Sequence, residues 1–541
     1  MDWLPTDWMK HLLVAPVLLP LITGAFLLLF DELRHTLKAV VSLVSTLGLF
    51  VVSAVLLGVA DTQGDDNLTM AYAVANWPAP FAIVLVLDRL SALLLVTSTV
   101  LAFAALVFSL ARWDRAGPHF HSLFQFLLMG LGGAFLTGDL FNLFVFFEVT
   151  LAASYGLLLH GSGSFRVRSG LHYISINLAA SLLFLIGVSL IYGVTGTLNM
   201  ADLALRIAEV SAEDRTLLQV GAGILGIAFL VKAGMWPLGF WLPPAYMAAA
   251  APVGALFVIL TKVGIYVLLR LSLLLFGGVS GELAGFGNSV LLWGGIATLA
   301  FATSGVLASQ AMGRLAGYSV LLSSGTLLAA IGLGIPAVVS GALFYLVSST
   351  FAAAALFMLI ELVERAREPG ADLLTVTMAA YGDERAEVEE PEDEEVGIVM
   401  PGALAVLGIS FGCIAILLAG LPPLSGFVAK FAMLKGMIDG GAEGSAIPAA
   451  VWLVVGLVIF SGLASLVAMM RTGIRTFWAP LETVVPRVLV IEVAPILALI
   501  VLCLGMSVYG GTLIRYTDAA SQAIHEPAAY IEGVLGKGDE Q

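Results

Sequence analysis

The sequence predicts an all-α polytopic membrane protein of about fourteen transmembrane helices, built around two inverted five-helix repeats that each contain a broken helix. Composition, the length of the apolar runs and two proline clusters carry that expectation. The 541 residues are 60% hydrophobic and 11% charged, with a mean hydropathy of +1.02. An ordinary soluble protein carries about 25% charged residues. Apolar runs of about 20 residues, enough to cross a bilayer, recur along the chain. They centre near Pro20, Val51, Leu95, Leu128, Thr150, Leu183, Ile227, Ile259, Leu299, Leu327, Ala355, Ala415, Val458 and Ile500.

The first run, Leu12 to Phe30, has no small-residue cleavage site after it and reads as a retained helix, not a signal peptide. Cys413 and Cys503 both lie in apolar runs. Two such cysteines give no disulfide framework and no iron–sulfur or zinc site from this chain alone. Of the net charge of −14, −8 comes from nine acids and one arginine between Asp383 and Glu395. That stretch cannot bury apolar surface and is expected as a solvated acidic loop, residues 366–396. A docking strip for a basic partner is the alternative.

Lysine and arginine sort across the loops. Thirteen, including Arg34, Lys38, Arg166, Arg314 and Arg471, fall on one side, and seven, including Lys10, Arg206, Arg270 and Lys537, on the other. The positive-inside rule places the first set in the cytoplasm. Both termini are then outside and the acidic loop is cytoplasmic. A stretch starting at Asn199 puts Met200, Leu203, Ile207 and Val210 on one face, and reads as an amphipathic helix lying on the outer surface and linking two spans.

The seventh and twelfth spans are interrupted. One reads KAGMWPLGFWLPP, with Pro237 and Pro243, and breaks over 232–244; the other reads AGLPPLSGFVAKF, with Pro422 and Pro423, and breaks over 420–430. Proline removes a backbone donor and clashes with the preceding turn, so each helix must open there. Opened backbone at membrane depth is tolerated where it is buried in protein or lines a wet cavity. Such segments in corresponding positions of two halves point to a transport site. A spacing of five spans implies repeats over 116–280 (spans four to eight) and 281–478 (spans nine to thirteen), flanked by 1–115 and 479–541. Five is odd, so the repeats are inverted.

Charges inside the spans sharpen the functional reading. Lys232 and Lys430 flank the breaks, Lys262 lies in the eighth span, and Glu148 lies in the fifth. Each lysine costs roughly 2.5–3.5 kcal/mol to place at a helix centre, which points to use in moving ions or protons. The plainer alternative is that the prolines only kink helices for packing. His172, near the arginine-rich end of the sixth span, is a candidate proton acceptor, or else an interfacial histidine. Asp139 reads as a helix cap, Asp88–Arg89 as a local ion pair, and Lys435 as an outer interfacial residue. No nucleotide-binding unit, metal-ligand cluster or nucleophile–base arrangement stands out; no cofactor or metal, and no nucleic acid, is expected.

Four strings carry a family resemblance: GDLFNLFVFFEVTLAASYGLLLHG, NLAASLLFLIGVSLIYGVTGTLNMADLA, FLVKAGMWPLGFWLPPAYMAAAAPVGALF and LLAGLPPLSGFVAKF. The chain resembles the antiporter-like subunits shared by respiratory complex I and Mrp-type cation/proton antiporters, over about Asp88 to Trp478. Within that group it is most similar to the D type, including the PhaD variant, and lysine at position 430 favours that type. The resemblance implies an essential buried pair, Glu148 with Lys232, followed by Lys262 and Lys430 as proton stations. It also implies A, B, C, E, F and G type partner subunits, monovalent cations and protons as cargo, and a bacterial inner membrane. The family often has a histidine and a lysine in the eleventh span, where this chain has Ser348 and Ala353. Ser348, Ser349 and Thr350 are therefore expected to bridge Lys262 and Lys430 with water. The alternative is a proton-pumping subunit of a redox complex, either complex I or a membrane-bound hydrogenase. A scaffold without transport leaves the intramembrane charges unexplained.

Overall fold

The computed structural model describes residues 6–62, 69–367, 401–440, 447–478 and 488–536. The acidic loop from residue 368 onward lies outside the described residues, as do Arg487 and Lys537. Among the described residues, twelve helices are long and apolar enough to cross a membrane, and two shorter apolar ones, Ala15–Leu28 and Phe120–Leu136, occupy the first and fourth positions. All fourteen coincide with the apolar runs. The first is short because it is preceded by a separate helix, Thr6–Leu12, and carries Pro16 and Pro20.

The third helix of each five-span unit, Ser164–Thr195 and Pro336–Arg367, is 32 residues long. The fourth span of each unit is interrupted: Arg215–Ala233 resumes as Leu242–Ala248, and Pro401–Ala419 resumes as Ser425–Asp439. The eighth span (Ala251–Phe276), the tenth (Met312–Leu333) and the eleventh are buried almost throughout. They form the middle of the molecule. Helices Thr6–Leu12 and Ala528–Leu535 sit at one end. There His11 meets the Tyr72 ring, and Gly533 lies against Thr69.

That end also holds a two-stranded antiparallel sheet, Met70–Ala73 with Val84–Leu87, in which Met70 faces Leu87. In the sequence, VLVL runs directly up to Asp88–Arg89, which open the third span. Asp88 separates the two, because its carboxylate accepts from Ser91 N at 2.8 Å while Ser91 Oγ accepts from Asp88 N at 2.9 Å. This reciprocal cap starts the helix Arg89–Ser109. The amphipathic helix exists as Met200–Glu209, with Asn199 capping Ala201 N and Asp202 N. Its apolar face is not turned to lipid: Met200, Leu203 and Ile207 are buried in the protein. The period of a helix fixes which residues share a face but not what covers them.

Candidate functional site

The first break is made by glycine and completed by proline. Helix Arg215–Ala233 ends at Gly234, whose φ of 75° suits a residue without Cβ. Its N–H reaches back to Leu230 and Val231 carbonyls. Pro237 follows, and Pro243 stands in the first turn of the resumed half-helix, where a missing N–H costs nothing. Trp236 N donates to Thr298 Oγ1 at 2.8 Å, satisfying a backbone group that the break frees. Lys232 occupies the last helical turn before the break, where the helix dipole favours a cation.

Lys232 Nζ lies 5.1 Å from the Phe147 ring centre. It faces a chamber of about 30 Å³ lined also by Thr150, Tyr173, Asn177, Tyr246 and Thr261. That is room for one or two waters among polar partners. Glu148, next to Phe147, lies in electrostatic range of Lys232. The two do not form an ion pair within 4.0 Å, and Glu148 Oε1 is buried without a hydrogen bond among the described residues. The structure thus brings the expected pair into one neighbourhood without closing it.

Lys262 is 0% exposed and donates to Ser323 Oγ of the tenth span. It is adjacent in sequence to Thr261, which lines the Lys232 chamber. The seventh and eighth spans approach closely through Gly264, since a Cβ there would stand 2.8 Å from Ala233 N.

Beyond Ser323 lies a smaller cavity of about 10 Å³, lined by Ser319, Tyr345, Ser348, Ser349 and Ser465 as well as Ser323. That is close to the minimum for one water. Ser348 Oγ and Ser425 Oγ are 2.7 Å apart. Leu418 also lines this cavity, and its carbonyl accepts from Lys430 Nζ at 3.4 Å; the Ala419 carbonyl accepts at 2.9 Å. These are the last carbonyls of the half-helix Pro401–Ala419, which lack intrahelical partners and carry the negative end of its dipole. Gly420, at φ 75°, closes that half-helix, and a Cβ there would meet Lys430 Cδ at 2.5 Å. Pro422 and Pro423 follow it.

Ser348 and Ser349 thus line the space between the two lysines. Thr350 does not line it; its hydroxyl donates to Leu346 O in its own helix at 2.6 Å. His172 is exposed on the sixth span, while its neighbour Tyr173 lines the Lys232 chamber. Asp139 caps the fifth span, accepting from Asn142 N at 2.8 Å, as its position implies. Lys435 is exposed beside Asp439. The expected Asp88–Arg89 pair is replaced by a long-range one: Asp88 pairs with the buried Arg270 of the eighth span at 2.8 Å. Arg270 is thus a buried ion-pair partner of this chain. Sequence reasoning missed Ser323, Ser425 and Tyr246. A serine or tyrosine in an apolar helix carries no sign of what it faces, because most such hydroxyls bond their own backbone.

The family model described as NADH:quinone oxidoreductase/Mrp antiporter, transmembrane, matches residues 137–447, which include both breaks and all three lysines. A relative from Rhizobium meliloti (strain 1021), named as the D subunit of a probable K(+)/H(+) antiporter, is 58% identical over 98% of each chain. The D subunit of the Na(+)/H(+) antiporter of Alkalihalophilus pseudofirmus is 34% identical over 97% of this chain and 100% of its own. A chain in the structure of the Mrp complex from Dietzia sp. DQ12-45-1b superposes with a TM-score of 0.81 at 26% identity, covering 98% of this chain and 100% of that one. With a family match over more than half its length and relatives aligned nearly end to end, this chain belongs to the NADH:quinone oxidoreductase/Mrp antiporter family, among its antiporter D subunits.

Proposed function

We propose that this chain is the proton-carrying D subunit of a multisubunit monovalent cation/proton antiporter in a bacterial inner membrane. The observation that carries the reading is the polar line through the otherwise apolar centre: Lys232, Thr261–Lys262, Ser323, the serine-lined cavity, and Lys430. A carboxylate near an ammonium favours its protonated form. Glu148 approaching Lys232 holds the proton there, and its withdrawal releases the proton toward Lys262 and then Lys430. Residues 116–280 and 281–478 act as the two halves of this path. The arginine-rich end faces the cytoplasm.

The names of the relatives support assembly with other membrane subunits, which we take to be of A, B, C, E, F and G type, and make potassium the first cation to test, with sodium second. The test is gentle affinity purification from the native membrane, identification of every co-purifying subunit, and cation-driven proton flux after reconstitution. Membrane subunits alone, with flux under a potassium or sodium gradient, support the antiporter. Flavin, iron–sulfur or nickel subunits overturn it in favour of a redox-driven pump.

A further inference from the structure

At the arginine-rich end, the connections between spans three and four, five and six, seven and eight, and nine and ten converge on the end of the eleventh span. They enclose a cavity of about 530 Å³. That volume holds on the order of ten or more waters. Its wall carries Glu361, Glu364, Arg166 and Arg365, an unusually charged set beside so apolar a core. Tyr246 lines this vestibule and also the Lys232 chamber, so the two spaces share this residue. The Tyr246 hydroxyl donates to Phe257 O at 2.6 Å and lies 3.2 Å from Thr261 Oγ1, the neighbour of Lys262.

Glu361 is the carboxylate best placed to serve this space. Trp113 Nε1 donates to Glu361 Oε2 at 2.6 Å. Its nearest ion-pair partner, Arg365, stands at 3.9 Å and is itself committed to the buried Glu492 of the fourteenth span at 2.8 Å. Arg112 and Arg166 also act on Glu361 from the third-to-fourth connection and the start of the sixth span, and Glu492 acts from the fourteenth. Glu361 thus presents a carboxylate at the wall of a large cavity whose lining shares Tyr246 with the Lys232 chamber. The two arginines disfavour a metal cation at the same place by like-charge repulsion.

We propose that this vestibule is the proton intake of the chain, with Glu361 as the loading carboxylate and Tyr246 as the neck toward Lys232. Glu361 takes a proton from vestibule water, passes it along water past Tyr246, and returns to the carboxylate as the Lys232 amine becomes an ammonium. The inference rests on the proton-carrying reading above, and it assigns the intake to the eleventh span, not to His172.

The test uses the complete complex in native membrane vesicles, with Cys413 and Cys503 replaced by serine. Ala249→Cys, in the vestibule wall, should react with a membrane-impermeant maleimide added at the arginine-rich face; Leu260→Cys, in the Lys232 chamber, should react only when Tyr246→Ala widens the neck. Glu361→Gln should slow proton-coupled transport by about tenfold or more and shift its pH profile, whereas Glu361→Asp should restore both. An unreactive Ala249→Cys, or wild-type transport in Glu361→Gln at every pH while Lys232→Ala is inactive, overturns the intake. Full transport in Lys232→Ala with a reactive Ala249→Cys and a slowed Glu361→Gln keeps the intake and overturns the lysine line instead.

Discussion

In the seventh span the lysine belongs to the half-helix that ends at the break; in the twelfth it belongs to the half-helix that begins after it. Lys232 therefore sits in the last turn of its own helix, above a water-sized chamber, with a phenylalanine ring and an unclosed carboxylate nearby. Lys430 instead reaches back across the break and donates to the terminal carbonyls of the preceding half-helix. Both amines end at the negative pole of an interrupted helix. They differ in what else can respond to them. The first has a side-chain carboxylate nearby that does not close on it, whereas the second is held by backbone carbonyls and boxed in by Gly420 and Gly462. The first arrangement suits a switch and the second a station of constant affinity.

This contrast can be broken most directly at the switch. Lys232→Ala should lower proton-coupled cation transport by at least about a hundredfold in a complex that still assembles. Lys232→Arg should do little better, because a guanidinium keeps its proton. Glu148→Gln should also impair transport while leaving insertion intact, and normal flux in a well-expressed Glu148→Gln complex would remove the switch from the first unit.

The second unit should respond to its backbone. Gly420→Ala places a Cβ at a positive φ and against Lys430, at a cost of about 1–3 kcal/mol. It should lower the Tm of the purified complex together with transport, and an unchanged Tm would show that the Lys430 cage is loose. Between the units, Ser348→Ala removes one hydrogen bond to Ser425. A loss of about 0.5–1.5 kcal/mol in a transfer step corresponds to roughly a two- to tenfold slowing. Thr350→Ser, outside the cavity, should leave flux unaltered, so equal effects at the two positions would argue against a path through the serines.

The smallest effect is a histidine-dependent pH response of stability, which falls to the first unit because no histidine lies between residues 281 and 478. His160, just past the end of the fifth span, hydrogen-bonds Trp113 O at 2.7 Å, and burial pushes its imidazole down to about 4. An unfolded histidine titrates near 6.5, so the unfolded chain binds the extra proton below that pH. The stability from neutral His160 is fully present above about pH 6.5 and is lost as pH falls toward 4. His160→Gln should flatten the dependence of Tm on pH across that window; an unchanged slope assigns the sensitivity to another group.

Much of the architecture was legible because the bilayer constrains length and backbone so strictly. Apolar runs and prolines located all fourteen spans and both breaks. The lysines announced themselves by the cost of placing an ammonium in hydrocarbon. What stayed hidden was which residues face one another. Asp88 looked paired with its neighbour Arg89, but its partner is Arg270, 182 positions away. His172 could be read from sequence either as a proton acceptor or as an interfacial histidine, and only the structure shows that it is exposed.

The sequence by itself determined the class of fold, the spans, the interrupted helices and the costly charges, since each follows from local composition and the backbone's need for hydrogen bonds. Tertiary structure alone decided that the eighth, tenth and eleventh spans are central, that Ser323 and Ser425 join Ser348 in the interval between Lys262 and Lys430, and that Lys430 rests on the carbonyls of Leu418 and Ala419. The reason is physical: lipid and protein interior are equally apolar, so the hydrophobic pattern that separates inside from outside in a soluble protein does not rank these helices. Close packing across glycines and a few hydroxyl contacts settle the arrangement instead.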